Sequence, residues 1–361
     1  MIRRPSRLGR RGRLAALLAV ASIAVVGAVA LASGPDDPDA GVDHVAPAPD
    51  EGQVSTAPGA RSGQLACPPD SDGPLCRPPA TTAPPTTAPA DPSTTAAPVP
   101  QGPTGFPTSA STGVPAGWEP AAVHEGDLTV DEPGTVIEDL LVTGDVQVRA
   151  VDVTIRRTRI HGIVWNQYSD TEQFPGLLLE DVELGPDTGV LTDWGHGAVG
   201  TAGYTARRVE IHNVTDGFRV SGDDVVIEDS FVSLTAVAGE CNHLDAVQGY
   251  GGGQRVVIRH NTLDARGECG NAAVFMADSS PHAVVEGNLL LGGAYSLRLN
   301  QAEVPATFVA RGNRFADGSW DFGPMDVVDS GNLDLTCGDN RIVTVDADYQ
   351  VTGDVGEVPC P

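Results

Sequence analysis

One hydrophobic pattern recurs along the chain from Thr135 onward. Its unit is an octet in which, in most copies, positions one, three and eight are apolar and positions four and five are usually polar or charged. The octets read TVIEDLLV from Thr135, VTIRRTRI from Val153, LLLEDVEL from Leu177, YTARRVEI from Tyr204 and VVIEDSFV from Val225. They continue as VVIRHNTL from Val256, AVVEGNLL from Ala283, FVARGNRF from Phe308 and a degraded VVDSGNLD from Val327. The extra residues always fall between octets, so insertions are confined to loops. Short segments rich in Val and Ile, bounded by Gly, Asp and Asn, predict a strand, a corner and the start of a second strand, not a helix.

A coil of roughly 20 to 30 residues cannot bury its apolar face alone, so successive coils must cover one another as a solenoid of parallel strands. Nine coils at ~4.8 Å each make a rod roughly 40 Å long. Position six holds Asn261, Asn288, Asn313 and Asn332 in four consecutive octets. A stacked ladder of side-chain amides there can satisfy backbone groups at the corner, which makes these asparagines structural.

Composition divides the rest of the chain. Six arginines stand in the first 13 residues, followed by the uncharged apolar run 14–32 ending in Ala30-Leu31-Ala32, the layout of an export signal. That run is also about the ~20 residues needed to span a bilayer, so residues 1–32 are a cleaved signal peptide or an N-terminal membrane anchor. Residues 33–116 are rich in Pro, Ala and Thr and nearly devoid of large apolar side chains, which predicts a disordered linker. Residues 117–361 form the solenoid domain. The protein is expected to be secreted or held at the extracellular cell surface, as a monomer. Six cysteines suit an oxidising compartment, and their near pairs predict three local disulfides, Cys67 with Cys76, Cys241 with Cys269 and Cys337 with Cys360. The net charge of -26, with no lysine, excludes an electrostatic grip on nucleic acid.

The VVIRHNTL and AVVEGNLL repeats, the entry segment Gly113-Val114-Pro115-Ala116 and Asn242-His243-Leu244-Asp245 resemble the secreted right-handed parallel β-helix proteins of actinobacteria, in the pectate-lyase-like superfamily. The resemblance implies an all-β, right-handed parallel β-helix of about nine coils. It also implies an extracellular polysaccharide partner, with β-elimination by a base or hydrolysis by paired carboxylates as the available chemistries. It does not select an activity, because the superfamily includes lyases, hydrolases and adhesins. No lysine exists to serve as a lyase base. The polygalacturonase-like order of motifs is reversed here, since Gly195-His196-Gly197 precedes Gly222-Asp223-Asp224.

Alternation along the second strand of each coil puts Arg219, His243, Asp245, Gln248, Tyr250 and Arg298 forward as one outer face. His243 or Arg298 is the base candidate, and Asp245 an orienter or half of a carboxylate pair. Arg219, Gln248 and Tyr250 are candidate sugar contacts, and Trp165 and Trp194, near Asn166, Tyr168 and His196, form a second aromatic candidate. Each has a structural alternative: His243 and Asp245 tied into a loop stapled by Cys241, Arg298 paired with a surface acid, the tryptophans buried. Ca2+ stays open as a cofactor with no ligand named, because hard oxygen donors abound. Two functions therefore stand, a protein that binds and cleaves a polysaccharide and a non-catalytic surface scaffold or adhesin.

Overall fold

Every octet turns at its fifth residue. In the computed structural model, which describes residues 105–360 apart from 170–171, 193–196, 242, 278, 300–304 and 329–330, that residue has φ between 43° and 66° in nine successive coils. The residues are Asp139, Arg157, Asp181, Arg208, Asp229, His260, Gly287, Gly312 and Asp339. A left-handed residue breaks the in-and-out alternation, so positions one and three face inward before the corner and positions six and eight after it. Val153, Ile155, Thr158 and Ile160 are accordingly all buried, as are Leu177, Leu179, Val182 and Leu184.

The two halves of the octets make two tracks of one eighteen-stranded sheet, and a nine-stranded sheet forms the third track. Among the described residues every regular element is a strand, and the chain is an all-β parallel solenoid. Third-track strands stack Val146, Val164, Val199, Phe218, Val247, Val274, Leu297 and Met325 in register. These side chains and the octet residues share one continuous core, in which each fully buried Leu, Ile, Val or Phe contributes about 1.5–3 kcal/mol.

The corner strands backbone groups that side chains of the next coil recover. The Asn261 amide N–H donates to Asn288 Oδ1, that of Asn288 to Asn313 Oδ1 and that of Asn313 to Asn340 Oδ1, each at 3.0 Å. Their Nδ2 groups donate back to the position-three carbonyls Ile227, Ile258 and Val285 at 2.9 Å. Upstream, Ser230 N donates to Asn261 Oδ1 and Val209 N to Ser230 Oγ. The ladder therefore ends at Asn340, not at Asn332 as the degraded octet predicts. Strand Leu333–Gly338 pairs Leu335 with Phe308, so the ninth octet is LTCGDNRI from Leu335. Val327 belongs to the third-track strand Gly323–Val327.

Position four carries a second register device. Glu138, Arg156, Glu180, Arg207, Glu228, Arg259, Glu286 and Arg311 alternate in sign and lie opposite one another from coil to coil. Arg156 meets Glu138 at 2.7 Å, and buried Glu228 takes both Arg207, at 2.7 Å, and Arg259. Exposed pairs of this kind contribute only about 0.2–1 kcal/mol each, yet omitting one coil would stack like on like.

Residues 105–116, which composition assigns to the linker, pack along the solenoid together with Trp118. His260 Nε2 donates to Gly105 O at 3.2 Å and stacks on Phe106. Gly113 N donates to Arg208 O at 2.8 Å, and Trp118 Nε1 to Asp139 Oδ1 at 3.3 Å. The segment thus runs back from the sixth coil to the first. Gly113 fits because a Cβ there would lie 2.8 Å from Glu210 Oε2. At the other end, strand Val351–Glu357 pairs antiparallel with Arg341–Val345 and covers that open edge. Cys337 is bonded to Cys360, and Cys241 to Cys269. Cys67, Cys76, the apolar run 14–32 and the linker up to residue 104 lie outside the described residues. No helix among the described residues is long and apolar enough to cross a membrane.

Two predictions follow from these contacts. Asn288→Ala removes the partners of two buried backbone groups of the preceding coil, Asn261 N–H and Ile258 C=O, and should lower unfolding free energy by about 3 kcal/mol in a denaturant titration. Asn332→Ala should lower it by less than about 1 kcal/mol. Equal losses would contradict the assignment of the ladder.

Glu210 is pushed up to about 7 by burial and by Glu183, against the opposing influence of His212 and Arg159. Its folded pKa exceeds the unfolded value of roughly 4.3, so its contribution to stability is complete below that value and is lost as pH rises through about 7. The Tm of Glu210→Gln should therefore gain on the wild type as pH increases from about 5 to about 8. A difference independent of pH would refute this.

Candidate functional site

The outward residues of the third track fall into one row. Register places Gln147, Trp165 and Gly200 side by side on successive coils, and likewise Arg219, Gln248, Phe275, Arg298 and Asp326. The Trp165 ring occupies the space above Gly200, where a Cβ would stand 2.5 Å from ring carbon Cζ3. Arg219, only 8% exposed, carries its guanidinium 5.6 Å from the Tyr250 ring centre. Arg298 lies 5.6 Å from both the Phe275 and Tyr295 rings and pairs with Asp326 at 3.1 Å. Tyr295 in turn sits 5.7 Å from Phe322. Tyr250 and Phe322 are 65% and 74% exposed, unusual for large apolar side chains. The result is a sheet face of aromatic rings and guanidinium planes that runs along the third track from Trp165 to Phe322.

A pair of carboxylates sits on the same sheet, closer to the start of its strands. Asp216 and Asp245 are register partners on adjacent coils, two residues before the inward-facing Phe218 and Val247. Asp245 is 0% exposed and accepts Asn271 Nδ2 on both oxygens at 3.1 Å. Burial holds its carboxyl well above the ordinary carboxylate range, with the Asp216 charge adding to the effect. Asp216 is half-buried, accepts the Thr215 hydroxyl at 3.2 Å, and is pushed up to about 6, chiefly by burial. It lines a shallow hollow with Ile163, Leu191, Gly197, Ala198 and Val214. His243 is exposed and close enough for its charge to act on Asp216. A carboxyl pushed up to about 6 can hold or release a proton near neutrality.

The candidates taken from the sequence separate into two groups here. Arg219, Gln248, Tyr250, Arg298 and Trp165 lie on the outer face. His243 and Asp245 lie towards the start of the strand, Asp245 beneath the surface, and Arg298 is two coils further on with its guanidinium engaged by Asp326. Trp194 and His196 lie outside the described residues, as does the side chain of Tyr168. Buried Asn166 ties its coil to the next one by donating to Ala202 O at 2.7 Å. Asp216, Asn271, Tyr295, Phe322 and Asp326 were not singled out from sequence. Asp216 was findable, because Thr215-Asp216-Gly217-Phe218 aligns with Leu244-Asp245-Ala246-Val247.

No cluster of three or more His, Cys, Asp or Glu side chains among the described residues is arranged to hold a metal ion, so no ligand set for Ca2+ is found there. The fold and face define a parallel β-solenoid with an aromatic and cationic outer surface. No protein-family model, curated protein or solved structure matches the chain.

Proposed function

We propose that this is an exported β-helix protein of the pectate-lyase-like kind, which binds an extracellular polysaccharide along the outer face of its third track. The observation that carries the reading is the row of Trp165, Arg219 with Tyr250, and Arg298 between Phe275 and Tyr295. Aromatic faces stack on the C–H faces of sugar rings, while guanidinium, amide and phenol groups hydrogen-bond their hydroxyls. Parallel coils repeat such contacts about every 4.8 Å, close to the length of one sugar unit, which suits a polymer better than a single sugar. The disulfides Cys241–Cys269 and Cys337–Cys360 fit an oxidising, extracytoplasmic compartment.

A second reading, cleavage of the bound chain, is favoured by the carboxylate pair. Asp216, pushed up to about 6, is the group proposed to exchange a proton with a glycosidic oxygen or a water. Asp245 acts through it, as a buried positioning group, and exposed His243 is the alternative base. Arg298 belongs to binding in this reading. Binding without cleavage is the scaffold or adhesin.

The test incubates the full chain with plant, algal and bacterial polysaccharides, with and without Ca2+, and follows retention, unsaturated products and new reducing ends. Binding is expected to one class of polymer and to weaken about two- to tenfold in Tyr250→Ala, from the ~0.5–1.5 kcal/mol of one aromatic contact. Any product formation should vanish in Asp216→Asn with binding kept. Failure to bind every polymer would overturn the proposal.

A further inference from the structure

Resting on the reading that this face binds a polysaccharide, we infer that the polymer it takes is uncharged, a chain of neutral hexoses or pentoses, and not a polyuronate. The cations of the face are committed to the protein itself. Arg298 pairs with Asp326 at 3.1 Å through Nε and Nη2 and lies between two aromatic rings, so that side of its fork is already taken by a carboxylate. Arg219 is almost wholly buried, with its guanidinium plane beside Tyr250. His243 is the next positive candidate, and it stands beside the Asp216 carboxyl.

The groups that do reach solvent are suited to neutral sugars. Tyr250 and Phe322 lie on opposite margins of the face, three coils apart, and both are largely exposed. Gln248, between them in the row, offers an uncharged donor and acceptor. A polyuronate lying across the same row would meet the Asp326 carboxylate and approach a molecule of net charge -26. A bridging divalent ion would relieve that repulsion, but the described residues supply no cluster to hold one.

The experiment measures retention of the full chain by immobilised neutral polymers (β-glucan, xylan, mannan, arabinan) and by polygalacturonate and alginate, at low and high salt. The inference expects at least tenfold tighter binding to one neutral polymer than to either polyuronate. It also expects little change in that binding with salt, because screening acts on charges and not on ring stacking. Phe322→Ala, at an exposed position where folding is not at stake, should weaken neutral binding about tenfold. Asp326→Asn should raise retention by polyuronates, since it releases Arg298 and takes a carboxylate out of the row. Tighter binding to a polyuronate, weakened by salt, would overturn the inference and leave the polysaccharide reading standing. Absence of binding to both classes would overturn that reading and the inference with it.

Discussion

A left-handed residue at the fifth position of each octet is the constraint on which the rest of the solenoid depends. In an ordinary residue this conformation costs roughly 1–2 kcal/mol, and Arg157 and Arg208 adopt it although neither is glycine, asparagine or aspartate. Both are held by ion pairs to an aspartate at the same corner of the preceding coil, Arg157 to Asp139 at 3.0 Å and Arg208 to Asp181 at 2.7 Å. The corner shifts the alternation by one residue, which is why both halves of the octet can face a single core. It also leaves the position-six N–H without a main-chain partner, and the Asn261 to Asn340 ladder supplies one. Fold, polar satisfaction and coil register thus follow from one backbone angle repeated nine times.

The first eight octets are legible because positions one, three and eight are apolar in nearly all of them and their insertions stay in loops. The ninth is not. Its third position is Cys337 and its fourth is Gly338, whereas the nearby VVDSGNLD carries the same Gly-Asn step as AVVEGNLL and matches the pattern better. Hydrogen bonding decides between them, since only Asn340 reaches Asn313. The alternation of glutamate and arginine at position four is also written in the sequence. It becomes visible only when octets are compared along the stacking direction, because within one octet a charge reads simply as an exposed position.

The candidate site shows the same division. Period-two alternation correctly turns Arg219, Gln248 and Arg298 outward on one row, because those strands are regular. Asp245 has the opposite parity, three residues before Gln248, and is buried against Asn271. Tyr295 and Phe322 join the face from a strand start and a loop, where periodicity carries no information. Asp216 is obscured for a related reason: its chemistry comes from burial and from the carboxylate on the next coil, not from a local motif. The face is therefore a property of the stack and not of any one repeat.

The central claim, that this third-track face is where the protein meets its partner, is tested most directly by hydroxyl-radical footprinting of side chains with and without a bound polysaccharide. The account predicts protection of Tyr250, Tyr295 and Phe322, with Phe106, which stacks on His260, and Tyr349, which packs on Phe231 and donates to Asp264, unchanged. Protection of Phe106 and Tyr349, with Tyr250 and Phe322 still fully reactive, would contradict it.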